Sequence, residues 1–289
     1  MNDRECTEFL QRYLPRLRFR WAGFRKVHKQ VCKRLYRHMT ELGFSDFSAY
    51  EVYLDDHPEE WQILDSMLQI TISRFYRDRG VFDTLCSSVL PFLAKDILRR
   101  GGNEVRCWSA GCCSGEETYT LQILWKLCVL PAIHEDLPLR IIATDIDRDV
   151  LTRARYGHYS ESSLKDLPKE LTRQAFVRSG RYYALNQPFR ENIEFVEQDI
   201  RLQLPEGSFH IIFCRNLVLT YFEEALQREI LSGIIDKLHK RGILVVGIHE
   251  SLPGGMAGVI RYDNTPIFIK DKRSRQGGVE CPDIASLMQ

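Results

Sequence analysis

Arg106-Cys107-Trp108-Ser109-Ala110-Gly111-Cys112-Cys113-Ser114-Gly115-Glu116-Glu117 runs from an apolar strand through a turn of small residues into the acidic start of a helix. Small residues let a backbone approach a ligand closely. In open α/β sheets such a ligand sits at the carboxyl ends of the strands. The turn is not a phosphate loop: it lacks a Gly-Lys-Ser/Thr ending, and Glu116 and Glu117 would repel a pyrophosphate. A nucleoside cofactor with a cationic centre and no phosphate suits it better, and S-adenosylmethionine is one.

Around this stretch, strands and helices alternate. A helix over roughly 81–99 precedes the strand 104–109, and the helix 116–128 follows the turn. Arg140–Thr144 is a second strand, ending at Asp145-Ile146-Asp147, and Asp147 can cap a helix over 147–156. Ile193–Val196 and Phe209–Cys214 are a third and a fourth strand. A helix over 223–239 ends near Arg241-Gly242, Ile243–His249 is a strand, and 258–270 predicts a hairpin turning at Asn264-Thr265-Pro266. This order predicts an α/β fold: a mostly parallel sheet with helices on both faces and a terminal antiparallel hairpin. Residues 160–192 break the alternation and read as a small β insertion with short strands such as Arg181–Leu185.

The first 80 residues read as a separate all-α domain, with 81–271 as the α/β domain and the polar stretch 272–289 as a disordered tail. Residues 1–40 hold eleven Lys or Arg against three Asp or Glu. Phe24, Val27, His28, Val31 and Leu35 recur at helical spacing and mark a basic amphipathic helix. A second helix follows around Phe47–Leu54, and His57-Pro58-Glu59-Glu60-Trp61 opens a third over Glu60–Thr71. The basic face is either solvated surface or a contact for an acidic partner.

Across the whole chain, 40 Lys or Arg nearly balance 39 Asp or Glu, which argues against a nucleic-acid partner. No apolar run approaches the roughly 18 residues of a membrane span. The start, Asp3-Arg4-Glu5, is unlike a signal peptide, so a cytoplasmic protein is expected. The nine cysteines are odd in number and show no C-x-x-C spacing. They are expected to be reduced, mostly buried thiols, neither disulfides nor a metal site, with Cys112-Cys113 the one place for a reactive thiol.

Several polar residues fall at the carboxyl ends of these strands. Ser109, Ala110 and Gly111 form the first turn. Asp145 ends the second strand, where a carboxylate can accept both hydroxyls of a ribose. Glu117, in the first turn of its helix, is placed to meet an amino group or a sulfonium, although a helix-dipole role alone also accounts for it. Asp199 and Ile200 follow the third strand, a polar–apolar pair suited to an adenine edge and face; turn chemistry explains Asp199 as well. Arg215 and Asn216 end the fourth strand, and Tyr221-Phe222 lies a few residues on.

Taken together, Trp108-Ser109-Ala110-Gly111 with Gly115-Glu116-Glu117, Ala143-Thr144-Asp145-Ile146-Asp147, and Phe213-Cys214-Arg215-Asn216 with Tyr221-Phe222 resemble the CheR-type chemoreceptor glutamate methyltransferases. Thr71-Ile72-Ser73-Arg74-Phe75-Tyr76-Arg77-Asp78 resembles that family's Asn-x-Thr-x-Phe-Phe-Arg-Glu segment. The resemblance spans about 20–255. It implies a Rossmann-like class I methyltransferase sheet, S-adenosylmethionine as cofactor, and esterification of protein glutamates. It further implies cofactor contacts from Thr71, Ser73, Arg77, Glu117, Asp145, the Asp199–Ile200 pair and the Arg215–Asn216 pair. Arg77 and Tyr221 would stand near the transfer centre, and the basic helix would meet acidic receptor segments. The chain departs from the family at Thr71 and Asp199, where Asn is usual, and carries one extra residue between Asn216 and Tyr221. Gly247-Ile248-His249-Glu250-Ser251 replaces a usual Gly-His-Ser-Glu. The residues themselves leave open a small metabolite or another non-receptor acceptor, or a module that senses the cofactor or binds a partner without turnover.

Overall fold

In a computed structural model of the chain, which describes residues 3–271, the strands are β1 (Val105–Ala110), β2 (Leu139–Asp145), β3 (His158–Ser160), β4 (Phe176–Ser179), β5 (Tyr182–Leu185), β6 (Ile193–Glu197), β7 (Phe209–Cys214), β8 (Leu238–Val245), β9 (Val259–Arg261) and β10 (Ile267–Lys270). Seven of them form one sheet in the order β6-β2-β1-β7-β8-β10-β9. The first five are parallel; β10 and β9 pair antiparallel. Strands buried on both faces read as continuous apolar runs, as in Ile211-Ile212-Phe213-Cys214, all fully buried. The remaining three strands form a small sheet in the order β3-β5-β4, the expected insertion. The expected tail, 272–289, lies outside the described residues.

The described residues separate into two compact units: the chain up to Ile70 together with Leu217–Gln227, and Thr71–Asn216 together with the chain from Arg228. The first unit is helical. Its helices Asp3–Tyr13, Trp21–Phe24, His28–Glu41, Phe47–Asp56 and Glu60–Met67 bury an aromatic core that includes Phe9, Tyr13, Phe24, Phe47 and Tyr50. The expected basic helix is interrupted at 25–27, so Phe24 and Val31 belong to different helices. The short segment 217–227 is clamped onto this unit. Arg20 donates from its side chain to the Leu219 and Thr220 carbonyls and from its backbone N–H to Tyr221 O at 2.8 Å; Arg18 pairs with Glu223 at 2.9 Å.

Two expectations are corrected. Cys6 and Cys32 form a disulfide, against the expectation of reduced thiols throughout. Packing of the helix Asp3–Tyr13 on the helix His28–Glu41 sets their Cα atoms 5.9 Å apart, a proximity that spacing along the chain does not reveal. The helix 223–239 stops at Lys237, and β8 begins directly at Leu238.

Candidate functional site

The parallel register brings the strand ends of the second unit level with one another. Ala110 at the end of β1 pairs with Thr144 on β2 and with Cys214 on β7, and Asp145 pairs with Glu197 on β6. The turn after β1 is tied to β2: the Gly111 and Cys112 N–H groups donate to the Thr144 carbonyl at 2.8 and 3.0 Å. Gly111 has φ +70° and Gly115 φ +85°. A Cβ on Gly115 would stand 3.0 Å from Tyr119 and 3.1 Å from Ala154, so glycine is needed there for close approach as well as for conformation.

Asp145 and Glu117 anchor opposite ends of this turn. Asp145 accepts from the Cys113 N–H at 2.8 Å and from the Asp147 N–H at 3.0 Å. Each bond uses one oxygen and leaves further lone pairs on both. Burial raises the Asp145 carboxyl above its ordinary value, and the two amides oppose the rise. Glu117 accepts from Ser109 Oγ at 3.0 Å and from Arg215 Nη1 at 2.9 Å. Burial raises its carboxyl too, against the pull of Arg215, of the Ser109 hydroxyl and of the Arg77 charge. Glu116 turns away. It accepts from Ser163 Oγ at 3.2 Å, and its other oxygen is buried without a partner. Ser73 lies near enough to Glu116 to oppose the rise that burial causes in its carboxyl, which brings Ser73 to the helix start that follows the turn.

Arg215 is the hub. Its Nη2 donates to Asp78 Oδ2 at 2.7 Å and to the Arg77 carbonyl at 3.0 Å, its guanidinium lies over the Phe82 ring at 5.2 Å, and its Nε is buried without a partner. One cation thereby fastens Glu117 after β1 to the 76–78 turn. Arg77 Nη1 donates to the Ile72 carbonyl at 3.1 Å, folding the Thr71–Asp78 segment on itself. Asn216 takes a left-handed backbone (φ +54°), which Asn tolerates better than most residues. Its N–H donates to Glu250 Oε2 at 2.9 Å, as does that of Gly247 at 2.6 Å.

The candidate residues therefore divide. Ser73, Arg77, Ser109, Ala110, Gly111, Glu117, Asp145, Arg215 and Asn216 share one connected network or the strand ends that carry it. Thr71 opens the same extended segment. After β6, the Gln198 N–H donates to the Asp145 carbonyl at 2.9 Å and Ile200 is buried. The Asp199 carboxylate is held by Arg201 through Nε at 3.0 Å and Nη2 at 2.7 Å. Tyr221 belongs to the helical unit, where its ring packs on Phe24 with centroids 5.1 Å apart.

Sequence reasoning missed the supports. Asp78 and Glu250 were visible only as members of matched blocks. Tyr159, whose hydroxyl donates to the Ser114 carbonyl at 2.7 Å, and Ser163, whose carbonyl accepts from the Phe75 N–H at 3.0 Å, tie the insertion to the site. Nothing in local sequence marks either. Cys112 and Cys113 are buried, and burial raises both thiols, so the turn does not favour a reactive thiolate. Among the described residues no three His, Cys, Asp or Glu side chains gather as metal ligands, and no helix is long and apolar enough to cross a membrane.

A donor set of two carboxylates with lone pairs to spare, a small-residue turn and no phosphate-binding lysine suits a cationic nucleoside, so these residues fit S-adenosylmethionine. Residues 71–268 match the family described as CheR methyltransferase, SAM binding domain. The chemotaxis protein methyltransferase of Listeria innocua is 34% identical over 187 residues, 65% of this chain and 68% of that protein. The probable chemotaxis protein methyltransferase of Rhizobium etli is 33% identical over 244 residues, 82% of this chain and 88% of that protein. The chemotaxis protein methyltransferase of Escherichia coli is 31% identical over 269 residues, 85% of this chain and 90% of that protein. The carboxylate-lined turn and these matches lead to one assignment: the chain belongs to the CheR family of S-adenosylmethionine-dependent methyltransferases.

Proposed function

We propose that this enzyme esterifies glutamate side-chain carboxylates of a protein acceptor of the chemoreceptor kind. Relatives that match it over most of its length are named chemotaxis protein methyltransferases. The observation that carries the reading is the 76–78 turn, whose left-handed Tyr76 and Asp78 and whose Arg77 carbonyl, held by Arg215 at 3.0 Å, fix where Arg77 stands beside the Glu117 network. A carboxylate acceptor is already ionised at neutral pH and needs no general base. It needs a cation to hold it in line and an environment that keeps water out. Arg77 supplies the cation.

S-adenosylmethionine, when bound, supplies a methyl group activated on a sulfonium. The chain's residues bind and orient. Asp145 takes the ribose hydroxyls, and the Ser109–Gly111 backbone forms the wall beside them. Asp199, fixed by Arg201, and Ile200 take the edge and face of the adenine. Glu117 faces the cationic end, with Thr71, Ser73 and Asn216 lining the same site. Arg215 is a positioning residue that acts through Glu117 and Asp78. Tyr221 orients the sulfonium side, and the helix His28–Glu41 offers its basic face to the acidic acceptor. The test is to incubate the enzyme and a chemoreceptor cytoplasmic fragment with methyl-labelled cofactor, then treat the labelled protein with alkali. Release of the label as methanol is expected; a label stable to alkali would place the methyl group on nitrogen or carbon and overturn the ester reading.

A further inference from the structure

Phe75 lies two residues before Arg77 and is fully buried. Two rings of the insertion meet it edge-on: Tyr159 of β3, with centroids 4.7 Å apart at 87°, and Phe176 of β4, at 5.2 Å and 88°. Tyr159 and Phe176 are themselves near-perpendicular at 6.3 Å. Three buried rings in mutual edge contact restrict one another's orientation. Two polar contacts repeat the attachment: the Phe75 N–H donates to the Ser163 carbonyl at 3.0 Å, and Arg74 pairs with Asp166 at 3.3 Å. The segment that carries Arg77 is thus moored to the small β3-β5-β4 sheet as well as to Arg215.

The same Tyr159 reaches the cofactor turn. Its hydroxyl donates to the Ser114 carbonyl at 2.7 Å. Ser114 stands between Cys113 and Gly115, both left-handed at φ +52° and +85°, and the Cys113 N–H is one of the two amides on the Asp145 carboxylate. Burial raises the Tyr159 hydroxyl well above its ordinary value, so it stays protonated and keeps donating at neutral pH. One side chain therefore touches the turn that suits the methyl donor and, through Phe75, the segment that presents Arg77. Transfer in line depends on how donor and acceptor are spaced. We infer that Tyr159 is a positioning residue for methyl transfer, whose hydroxyl sets the cofactor turn and whose ring sets the Arg77 segment. The ring's part rests on the role given to Arg77 above; the hydroxyl's part does not. The insertion thereby belongs to the alignment of the reaction, although Tyr159 itself meets neither reactant.

The test separates the two contacts in the full-length enzyme. Tyr159→Phe removes the hydroxyl and keeps the ring on Phe75. Phe75→Leu removes the ring contact and keeps the hydroxyl bond. Tyr159→Leu removes both. Calorimetric binding of S-adenosylhomocysteine should weaken roughly fivefold in Tyr159→Phe, the loss of one hydrogen bond, and stay within about twofold of wild type in Phe75→Leu. Turnover at saturating cofactor, with a chemoreceptor fragment as acceptor, should show the reverse: about tenfold lower in Phe75→Leu and only about twofold lower in Tyr159→Phe. Tyr159→Leu should show both losses. A merely structural brace would lower the thermal melt of the variants and leave the binding and rate constants of the folded enzyme as in wild type; that result overturns the proposal. Equal losses of affinity and turnover in Tyr159→Phe overturn it too. If the leucine variants do not fold, Tyr159→Phe decides alone, and an unchanged affinity for S-adenosylhomocysteine overturns the proposal. The calorimetric arm involves no acceptor. Weakened binding in Tyr159→Phe, in an enzyme that forms no alkali-labile ester, would leave the hydroxyl's role standing and remove the esterification reading.

Discussion

Tyr76 and Asp78 both adopt left-handed backbone conformations, with φ of +57° and +64°, and Arg77 lies between them. Neither residue is glycine, and each such conformation costs on the order of 1–3 kcal/mol unless its surroundings enforce it. Here they do. The Tyr76 N–H donates to Thr120 Oγ1 at 3.1 Å, its hydroxyl donates to Asp83 at 2.8 Å, and its buried ring stacks on Phe82 at 5.3 Å. Asp78 is held by Arg215. Strain maintained from both sides of a single cation makes sense if that cation has to be presented in one direction. We therefore expect Arg77→Ala to lower methyl-transfer turnover more than tenfold, about 1.4 kcal/mol in the barrier. Its thermal melt should stay close to wild type, because the strained neighbours keep their own partners. Wild-type kinetics in that variant would remove Arg77 from the reaction.

At the scale of elements, the sheet was legible because its strands are short apolar runs bounded by turns, and their carboxyl ends place Asp145, Glu117 and Asn216 without further information. What was not legible depends on neighbours. Arg215 reads from sequence as one more strand-end ligand, and only packing against Phe82 and Asp78 makes it a counterion. The helices expected at 81–99 and 116–128 are both broken by π-helical turns, at Leu85–Val89 and Trp125–Val129, which a 3.6-residue period does not report. These turns pack on each other and carry the half-buried Cys86 and Cys128, whose mutual influence lowers the titration of one thiol of the pair against the rise that burial causes. At pH 7.5 this pair should thus be alkylated by iodoacetamide ahead of the fully buried cysteines in peptide mapping. Labelling of the pair no faster than that of Cys112 or Cys214 would contradict the coupling. A steric test belongs to the helical unit. A Cβ on Gly23 would overlap the backbone carbonyl oxygen of Thr220. Neither backbone can yield cheaply, so Gly23→Ala should destabilise this unit by about 1–3 kcal/mol, read as a lower urea midpoint.

For the whole molecule, near-equal numbers of acidic and basic residues mean that net charge contributes little to pH sensitivity around neutrality. A few buried groups decide it, and they pull in opposite directions. The carboxyls of Glu116, Glu117 and Asp145 are raised by burial, so the stability they contribute is present in acid and lost as pH rises through their folded values. His210 on β7 behaves oppositely. Burial, the His239 ring stacked on it at 4.2 Å and the Arg106 charge lower it from 6.5 to about 4. Its Nδ1 accepts the Arg106 N–H at 3.0 Å, a bond between β1 and β7 that a proton on Nδ1 abolishes. The stability that His210 contributes is therefore complete above pH 6.5 and is lost as pH falls towards 4. His210→Asn can still accept from the Arg106 N–H but takes up no proton. Between pH 7 and pH 4 the variant should gain on wild type by about 1–2 kcal/mol, a range that allows for the partial exposure of the ring. Urea unfolding of both proteins across that range isolates this one residue, because the buried carboxyls are common to both. A stability difference that stays flat with pH would mean that His210 titrates alike in the folded and unfolded chains, and that the β1–β7 contact does not sense acid.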